Sequence, residues 1–221
     1  MSAEQRMPLR IDLVSDVVCP WCIIGWRQFQ QALAEREERI DLELHWHAFE
    51  LNPDMPPEGQ NLREHVAAKY GASPEQSDKA RQRLADLGAS LGFTFNYSDD
   101  TRMVNTFKAH QLLHWAAEQG CQTELKEALF AAFFTDGRDV SDSEVLADVC
   151  AGVGLDRDEA LAVLSEARFA RSVRDDQRQW VEQGIQAVPT FVVNQQYMVQ
   201  GAQEAVAFGR MLDKLLTAHA A

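Results

Sequence analysis

Two cysteines two residues apart, in Cys19-Pro20-Trp21-Cys22, are the side chains of this chain best placed to do chemistry. A CxxC pair serves zinc sites and redox sites alike, so its setting has to decide between them. Pro20 suits the first position of a helix, where a missing N–H costs nothing and the fixed φ already fits. Cys19 is then the N-cap, its sulfur facing the unpaired N–H groups of Trp21 and Cys22 at the positive end of the helix dipole. Such placement lowers a cysteine pKa from about 8.5 into the range of roughly 3.5 to 7.5, which makes Cys19 the candidate nucleophile. Cys22, one turn on and pointing back toward the preceding turn, is expected to be the less exposed sulfur and to resolve a mixed disulfide held on Cys19. A three-residue step puts both on one helix face, within disulfide reach without distorting the backbone. The competing readings are a zinc site and a pair of inert core thiols. Zinc would need further ligands, and Cys121 and Cys150 lie 29 positions apart in separate helical stretches. They read as packed helix residues, with a regulatory disulfide between them as the lesser alternative.

The elements around the pair follow from periodicity. Leu9 to Val14 is a short apolar-rich run, and Ile23, Trp26, Phe29 and Leu33 then recur at helical spacing until the charged run Glu35 to Arg39. Ile40 to Leu51 alternates apolar and polar residues. Strand, helix and strand make a βαβ unit with parallel strands, and the redox pair sits at its first strand-to-helix junction. Asn52-Pro53-Asp54, Pro56-Pro57 and Gly59 break the pattern, after which nearly everything from about Asn61 to Gly184 reads helical, in about six helices. Ser73 to Gln76 and Ser141 to Glu144 look like capping boxes, and Gly71, Gly92, Gly120, Gly152 and Gly184 mark expected helix ends. Phe93 to Tyr97 is either a short extended piece or a packed loop. Thr190 to Val193, the turn Asn194-Gln195-Gln196 and Tyr197 to Gln200 form a hairpin, followed by a closing helix carrying Val206, Met211, Leu212, Leu215 and Leu216. The expected fold class is therefore α/β, with residues 1–58 and 185–221 forming one domain and residues 59–184 an inserted, all-helical one.

Composition narrows the function classes. The 221 residues are 46% hydrophobic and 25% charged, an ordinary globular mixture. Twenty-one Lys and Arg against 34 Asp and Glu leave a net charge of −13, the wrong sign for nucleic acid or an anionic membrane as partner. Mean hydropathy is −0.31, and no run approaches the roughly 20 apolar residues of a membrane helix. The start MSAEQRMPLRIDLV has no secretory-signal pattern, so a cytoplasmic location is expected.

Val17-Val18-Cys19-Pro20-Trp21-Cys22-Ile23-Ile24-Gly25, together with Ala187-Val188-Pro189-Thr190-Phe191, resembles the DsbA-like thioredoxin-fold oxidoreductases, and especially their cytoplasmic FrnE-type branch. Asn52-Pro53-Asp54, the stretch Asn105-Thr106 to Trp115 and Gly201-Ala202-Gln203 also look like that branch, so the likeness spans nearly the whole chain. The resemblance implies a thioredoxin-like fold with a large helical domain between its βαβ and ββα halves, in agreement with the element order. It further implies that Pro189 follows a cis bond opposite the pair and that Val188 offers its backbone N–H and C=O to an extended substrate, with Pro20, Trp21 and Thr190 beside it. A trans proline merely starting a strand is the plainer reading. Pro20-Trp21 replaces the Pro-His of strongly oxidising periplasmic relatives, so a less oxidising couple is expected. Many thioredoxin relatives carry a buried acid beneath the pair; here Asp12 or Asp16 could fill that role, or both could be solvated.

The function read from the sequence is a protein disulfide reductase or isomerase acting on disulfide-containing proteins or peptides, with glutathione as a further partner or co-substrate and no dissociable cofactor or metal. Two alternatives remain. One is a glutathione-dependent isomerase or transferase akin to 2-hydroxychromene-2-carboxylate isomerase, although those relatives generally have serine where Cys19 stands. The other is a non-redox binding module for unfolded chains. His45 and His47 share a strand face at period two and read as polar-face residues. His110 and His114 are four apart on a helix with Gln-Leu-Leu between them, and read as packing or surface polarity. Trp21, Ile24 and Trp26 rim a substrate groove or pack in the helix core.

Overall fold

Residues 6–220 are described by a computed structural model. Met7–Ser15 forms the strand β1, alternately buried at its start and then buried continuously, because its second half is covered on both faces. The helix α1 (Pro20–Ala34) follows, then a 3-10 turn at Glu37–Arg39 and the strand β2 (Ile40–Ala48). β1 and β2 are parallel, in register from Met7 opposite Ile40 to Ser15 opposite Ala48, as a βαβ unit requires. The chain then builds β3 (Gln60–Asn61), α2 (Leu62–Tyr70), α3 (Pro74–Ser90), β4 (Arg102–Met103), α4 (Phe107–Glu118), α5 (Gln122–Phe134), α6 (Ser143–Gly152), α7 (Arg157–Ser165) and α8 (Ala170–Glu182). It closes with β5 (Thr190–Val193), β6 (Tyr197–Gln200) and α9 (Ala205–His219). The sheet order is β2-β1-β5-β6, with β5 antiparallel to both β1 and β6.

Local rules place most of these boundaries, and tertiary packing adjusts a few. α1 begins at Pro20 with Cys19 extended before it (φ −92°, ψ 111°) and buries Cys22, Ile23, Trp26 and Phe29. Phe29 meets Phe191 and Phe208 with ring centroids 5.6 and 5.4 Å apart, joining α1 to β5 and α9. β2 stops at Ala48 rather than Leu51 because the next residues turn away to serve the site described below. The helical segment holds seven helices rather than six, plus the short β3–β4 ladder, so it is not wholly helical. Ser73 and Gln76 form the expected capping box, but α6 is capped by Asp142, which accepts from the N–H groups of Glu144 and Val145. Gly154 (φ 88°), not Gly152, makes the left-handed turn after it. Phe93 to Tyr97 is a packed loop, and Gly88 admits it: a Cβ there would stand 2.6 Å from Phe95 Cδ2. In the hairpin turn Asn194 and Gln195 both take positive φ, and the Asn194 side chain accepts from the Arg10 N–H at 3.0 Å, tying the turn to β1.

One contiguous set of buried apolar side chains runs from β1 through α1 into α4, α5 and α6, so the helical segment and the sheet share a core. The segment also closes the exposed edge of β2. Gln122 accepts from the Trp46 N–H at 3.0 Å and donates to the Trp46 carbonyl at 2.9 Å, while Asp176 accepts from the Ala48 N–H at 2.8 Å. At that end of the strand the outward backbone groups of Trp46 and Ala48 are thus already taken. The same bonds fix α5 and α8 against the end of the sheet where the cysteines lie.

Candidate functional site

The chain delivers Cys19 to the junction of β1 and α1, where its N–H donates to the Asp16 carbonyl at 3.3 Å and its carbonyl accepts from the Cys22 N–H at 3.1 Å. Both cysteines are free thiols and both are buried, Cys22 completely. Opposite them the Val188–Pro189 peptide is cis. The Cys19 Sγ–H donates to the Val188 carbonyl at 3.7 Å, so residues 169 positions apart meet at the helix start. Among the described residues no carbonyl accepts from the Val188 N–H. Two bonds brace this loop: Thr190 Oγ1 donates to the Ala187 carbonyl, and the Gly201 N–H donates to the Pro189 carbonyl, both at 2.8 Å. Gly25 on α1 provides the room, since a Cβ there would lie 3.1 Å from Pro189 Cγ and 3.3 Å from Ala202 Cα. Trp21 stands 40% exposed beside the pair, whereas Ile24 and Trp26 are core residues. Trp26 donates to Glu127 at 2.6 Å and meets Trp46 edge-on, so of the three only Trp21 can rim a groove.

Beneath the sulfurs lies a set of polar groups that sequence reasoning mostly missed. Asp16 is fully buried, accepting from the Leu51 N–H at 2.7 Å and lying 3.3 Å from His110 Nε2. Burial opposes its charge, but the hydrogen bonds from His110 and Leu51 and the charge of Lys126 outweigh it and hold the carboxyl below its ordinary range. Asp12 is buried too, but its partners are Arg10 and His47, so Asp16 is the acid beside the pair and neither carboxylate is solvated. The segment carrying Leu51 is itself pinned. Lys69 donates to the Leu51 carbonyl at 2.9 Å and to Asn52 at 2.7 Å, and Asn105 donates to the Pro53 carbonyl at 3.3 Å. The residue before Leu51, Glu50, is buried and accepts from Gln177 at 2.8 Å and from Arg174, whose guanidinium lies 4.0 Å from the Phe107 ring centroid.

The thiols feel two opposed influences. Burial pushes the Cys19 thiol up, and the neighbouring Cys22 sulfur together with the negative charge of Asp16 pushes it further. Burial also opposes a charge on Cys22, but the thiol of Cys19, the Ser15 hydroxyl and the ammonium of Lys126 together draw Cys22 below its ordinary value. The helix terminus alone favours a thiolate on Cys19; in the folded chain burial works against it there, while the surroundings of Cys22 ease a charge on the deeper sulfur.

A second buried cluster lies between the sheet and α8. His47 Nδ1 is 2.8 Å from Asp176 and its Nε2 is 3.0 Å from Asp12, with the Trp180 ring 4.6 Å away. Burial disfavours its charge, but the two carboxylates prevail and raise its pKa. His47 is therefore a clamped residue, while His45 stays near the surface against Glu43. Cys150 is buried, which pushes its thiol up to about 12, with Cys121 close enough to add to the effect. No helix among the described residues is long and apolar enough to cross a membrane.

A model of the DSBA-like thioredoxin domain matches residues 10–213. The uncharacterized protein YwbO of Bacillus subtilis (strain 168) is 28% identical over 192 residues, covering 85% of this chain and 88% of that protein. A probable DsbA oxidoreductase from Streptomyces coelicolor, known from its crystal structure, is similar with a TM-score of 0.88 at 36% identity, over 94% of this chain and 89% of that one. The cytosolic disulfide reductase DsbM from Pseudomonas aeruginosa, solved with glutathione, shares the fold with a TM-score of 0.61 at 19% identity, over 96% of this chain and 98% of that one.

Proposed function

Because the chain belongs to the DSBA-like thioredoxin domain family, we propose that it is a thiol-disulfide oxidoreductase in which Cys19 and Cys22 are the redox pair and the Val188-Pro189-Thr190 loop seats the substrate. The observation that carries this reading is the Cys19 sulfur at the start of α1, facing the Val188 carbonyl, with Cys22 directly behind it. An extended substrate chain pairs with the backbone of Val188 in place of the Cys19 thiol, between Trp21 and Pro189, with Pro20 lining the rim. Cys19 gives up its thiol proton, and the resulting thiolate attacks one sulfur of the substrate disulfide. That S–S bond breaks, the other substrate sulfur leaves as a thiolate and takes a proton, and a mixed disulfide forms. The Cys22 thiol, whose charge Lys126 favours, then loses its proton and attacks Cys19, releasing the second substrate thiolate, so that two electrons pass from the pair to the substrate.

In a thiol-buffered cytosol this couple stays largely reduced, which makes the net activity that of a reductase or isomerase with no dissociable cofactor. Glutathione is the proposed recycling thiol, two molecules returning the disulfide to the dithiol. The fold shared with a glutathione-bound disulfide reductase supports that assignment. The test is covalent trapping in cell extract and with a model disulfide peptide. Cys22→Ala should accumulate mixed disulfides on Cys19, identified by mass spectrometry, and Cys19→Ala should not. An empty trap in both settings refutes the reading. Turnover of small electrophiles with glutathione that survives Cys22→Ser would point instead to a glutathione-dependent isomerase.

A further inference from the structure

Lys126 lies on α5, and its side chain is completely buried. Its ammonium reaches the Ser15 carbonyl at 3.5 Å and stands 5.3 and 5.1 Å from the ring centroids of Trp46 and Phe130. Among the described residues no carboxylate comes within ion-pair distance of it. A buried ammonium with one long hydrogen bond and two aromatic faces is an expensive arrangement, and a Met or Leu would fill the same stripe of α5 without it. Something else must draw charge to that point.

The groups facing Lys126 are few. Its ammonium touches the Ser15 carbonyl at the end of β1, Trp46 of β2 and Phe130 of α5, and Cys22, Asp16 and Cys19, at the start of α1 and the turn before it, act on it by charge. The Asp16 carboxylate is already held by the Leu51 N–H and by His110 from α4. Beyond Asp16, the negative charge that reaches Lys126 is the one that appears on the cysteine pair when it is reduced. We propose that Lys126 is a redox counter-charge, carried in by the helical insertion, which stabilises the thiolate of the reduced Cys19–Cys22 pair and so sets how oxidising that pair is. This rests on the redox reading above. Oxidation of two glutathione molecules to their disulfide converts the enzyme disulfide to two thiols, one of which then releases a proton to water and leaves thiol and thiolate. Lys126 meets a neutral pair before that sequence and an anionic pair after it. Burial pushes its pKa down to about 8, so that at neutral pH it is an ammonium held ready for that charge. Lys126 is a positioning residue here: it touches neither substrate nor the bond that breaks.

The test replaces Lys126 with the isosteric, uncharged side chain in Lys126→Met and measures the equilibrium with glutathione, together with the pH profile of alkylation of the pair. Without the counter-charge the reduced form is worth less, so the equilibrium should move roughly tenfold toward the disulfide, which converts to about 30 mV more negative. The alkylation profile should move to higher pH. A second measurement needs no substitution: the Lys126 ammonium, followed by NMR in the full chain, should titrate at lower pH in the disulfide form than in the dithiol form, since coupling between two sites is reciprocal. An unchanged glutathione equilibrium in a folded Lys126→Met, or a Lys126 titration identical in both redox forms, overturns the counter-charge. Failure of the unaltered protein to exchange with glutathione or with any disulfide peptide would overturn the redox reading itself, whatever Lys126 does.

Discussion

Gly25→Ala sets a helix preference against a steric contact, and the structure decides which prevails. Gly25 lies inside α1, where alanine in place of glycine gains about 1 kcal/mol of helix stability in open surroundings. Here the new Cβ would stand 3.1 Å from Pro189 Cγ, 3.3 Å from Ala202 Cα and 3.4 Å from Ala202 Cβ. Neither neighbour moves freely: the Pro189 carbonyl accepts from the Gly201 N–H at 2.8 Å, and Gln203 donates to the Gln200 carbonyl at 2.8 Å on the far side of Ala202. Overpacking of this kind costs about 1–3 kcal/mol, so the expected net is a loss of about 0–2 kcal/mol in urea unfolding. The functional effect should be larger than the stability effect. The Pro189 loop gives way by a few tenths of an ångström and carries Val188 away from Cys19, across a contact already 3.7 Å long. Since a misplacement of 1 Å can cost about a hundredfold, kcat/KM for reduction of a fluorogenic disulfide peptide should fall roughly three- to tenfold. A Gly25→Ala protein that gains the full helix increment and exchanges disulfides at the original rate would refute the claim that this close approach seats the loop.

Two further outcomes follow from the packing and the buried charges. Phe29→Ala removes the ring at the centre of the Trp26, Phe191 and Phe208 cluster and should cost about 3–5 kcal/mol of unfolding free energy; a loss under about 1 kcal/mol would mean that this cluster is not what joins α1 to β5 and α9. His47 has a raised folded pKa, so its stabilisation is complete below the ordinary imidazole value near 6.5 and fades as pH rises through the folded value. His47→Gln should therefore flatten unfolding free energy between about pH 6 and pH 8, and an equally steep decline in the variant would place the pH dependence elsewhere. Asp12 and Asp176 are held well below the usual carboxylate range, so their contributions persist through that window and fall away only in strong acid.

Much of the site's outline is written in short-range pattern. Pro20 after Cys19 starts a helix, the three-residue step aligns two sulfurs, and alternation before and after α1 yields the parallel strands that hold the pair at the sheet's end. The hairpin from Thr190 to Gln200 is legible for the same reason, because strand and turn preferences act within a few residues. The β3–β4 ladder escaped notice because two-residue strands leave no periodic trace. A trace of Lys126 was present: spaced three and four from Leu129 and Phe130, it falls on the apolar stripe of α5, where a lysine has no business unless something buried needs its charge.

What the sequence by itself determined is which atoms could react, since that depends on residue types a turn apart. Which acid lies under them, which histidine holds it and which buried lysine stands near them were decided only by the tertiary structure. Ser15 meets Lys126 across 111 residues and Cys19 meets Val188 across 169, and burial, which sets the energy of every charge in the site, is a property of the assembled core rather than of any local stretch of chain.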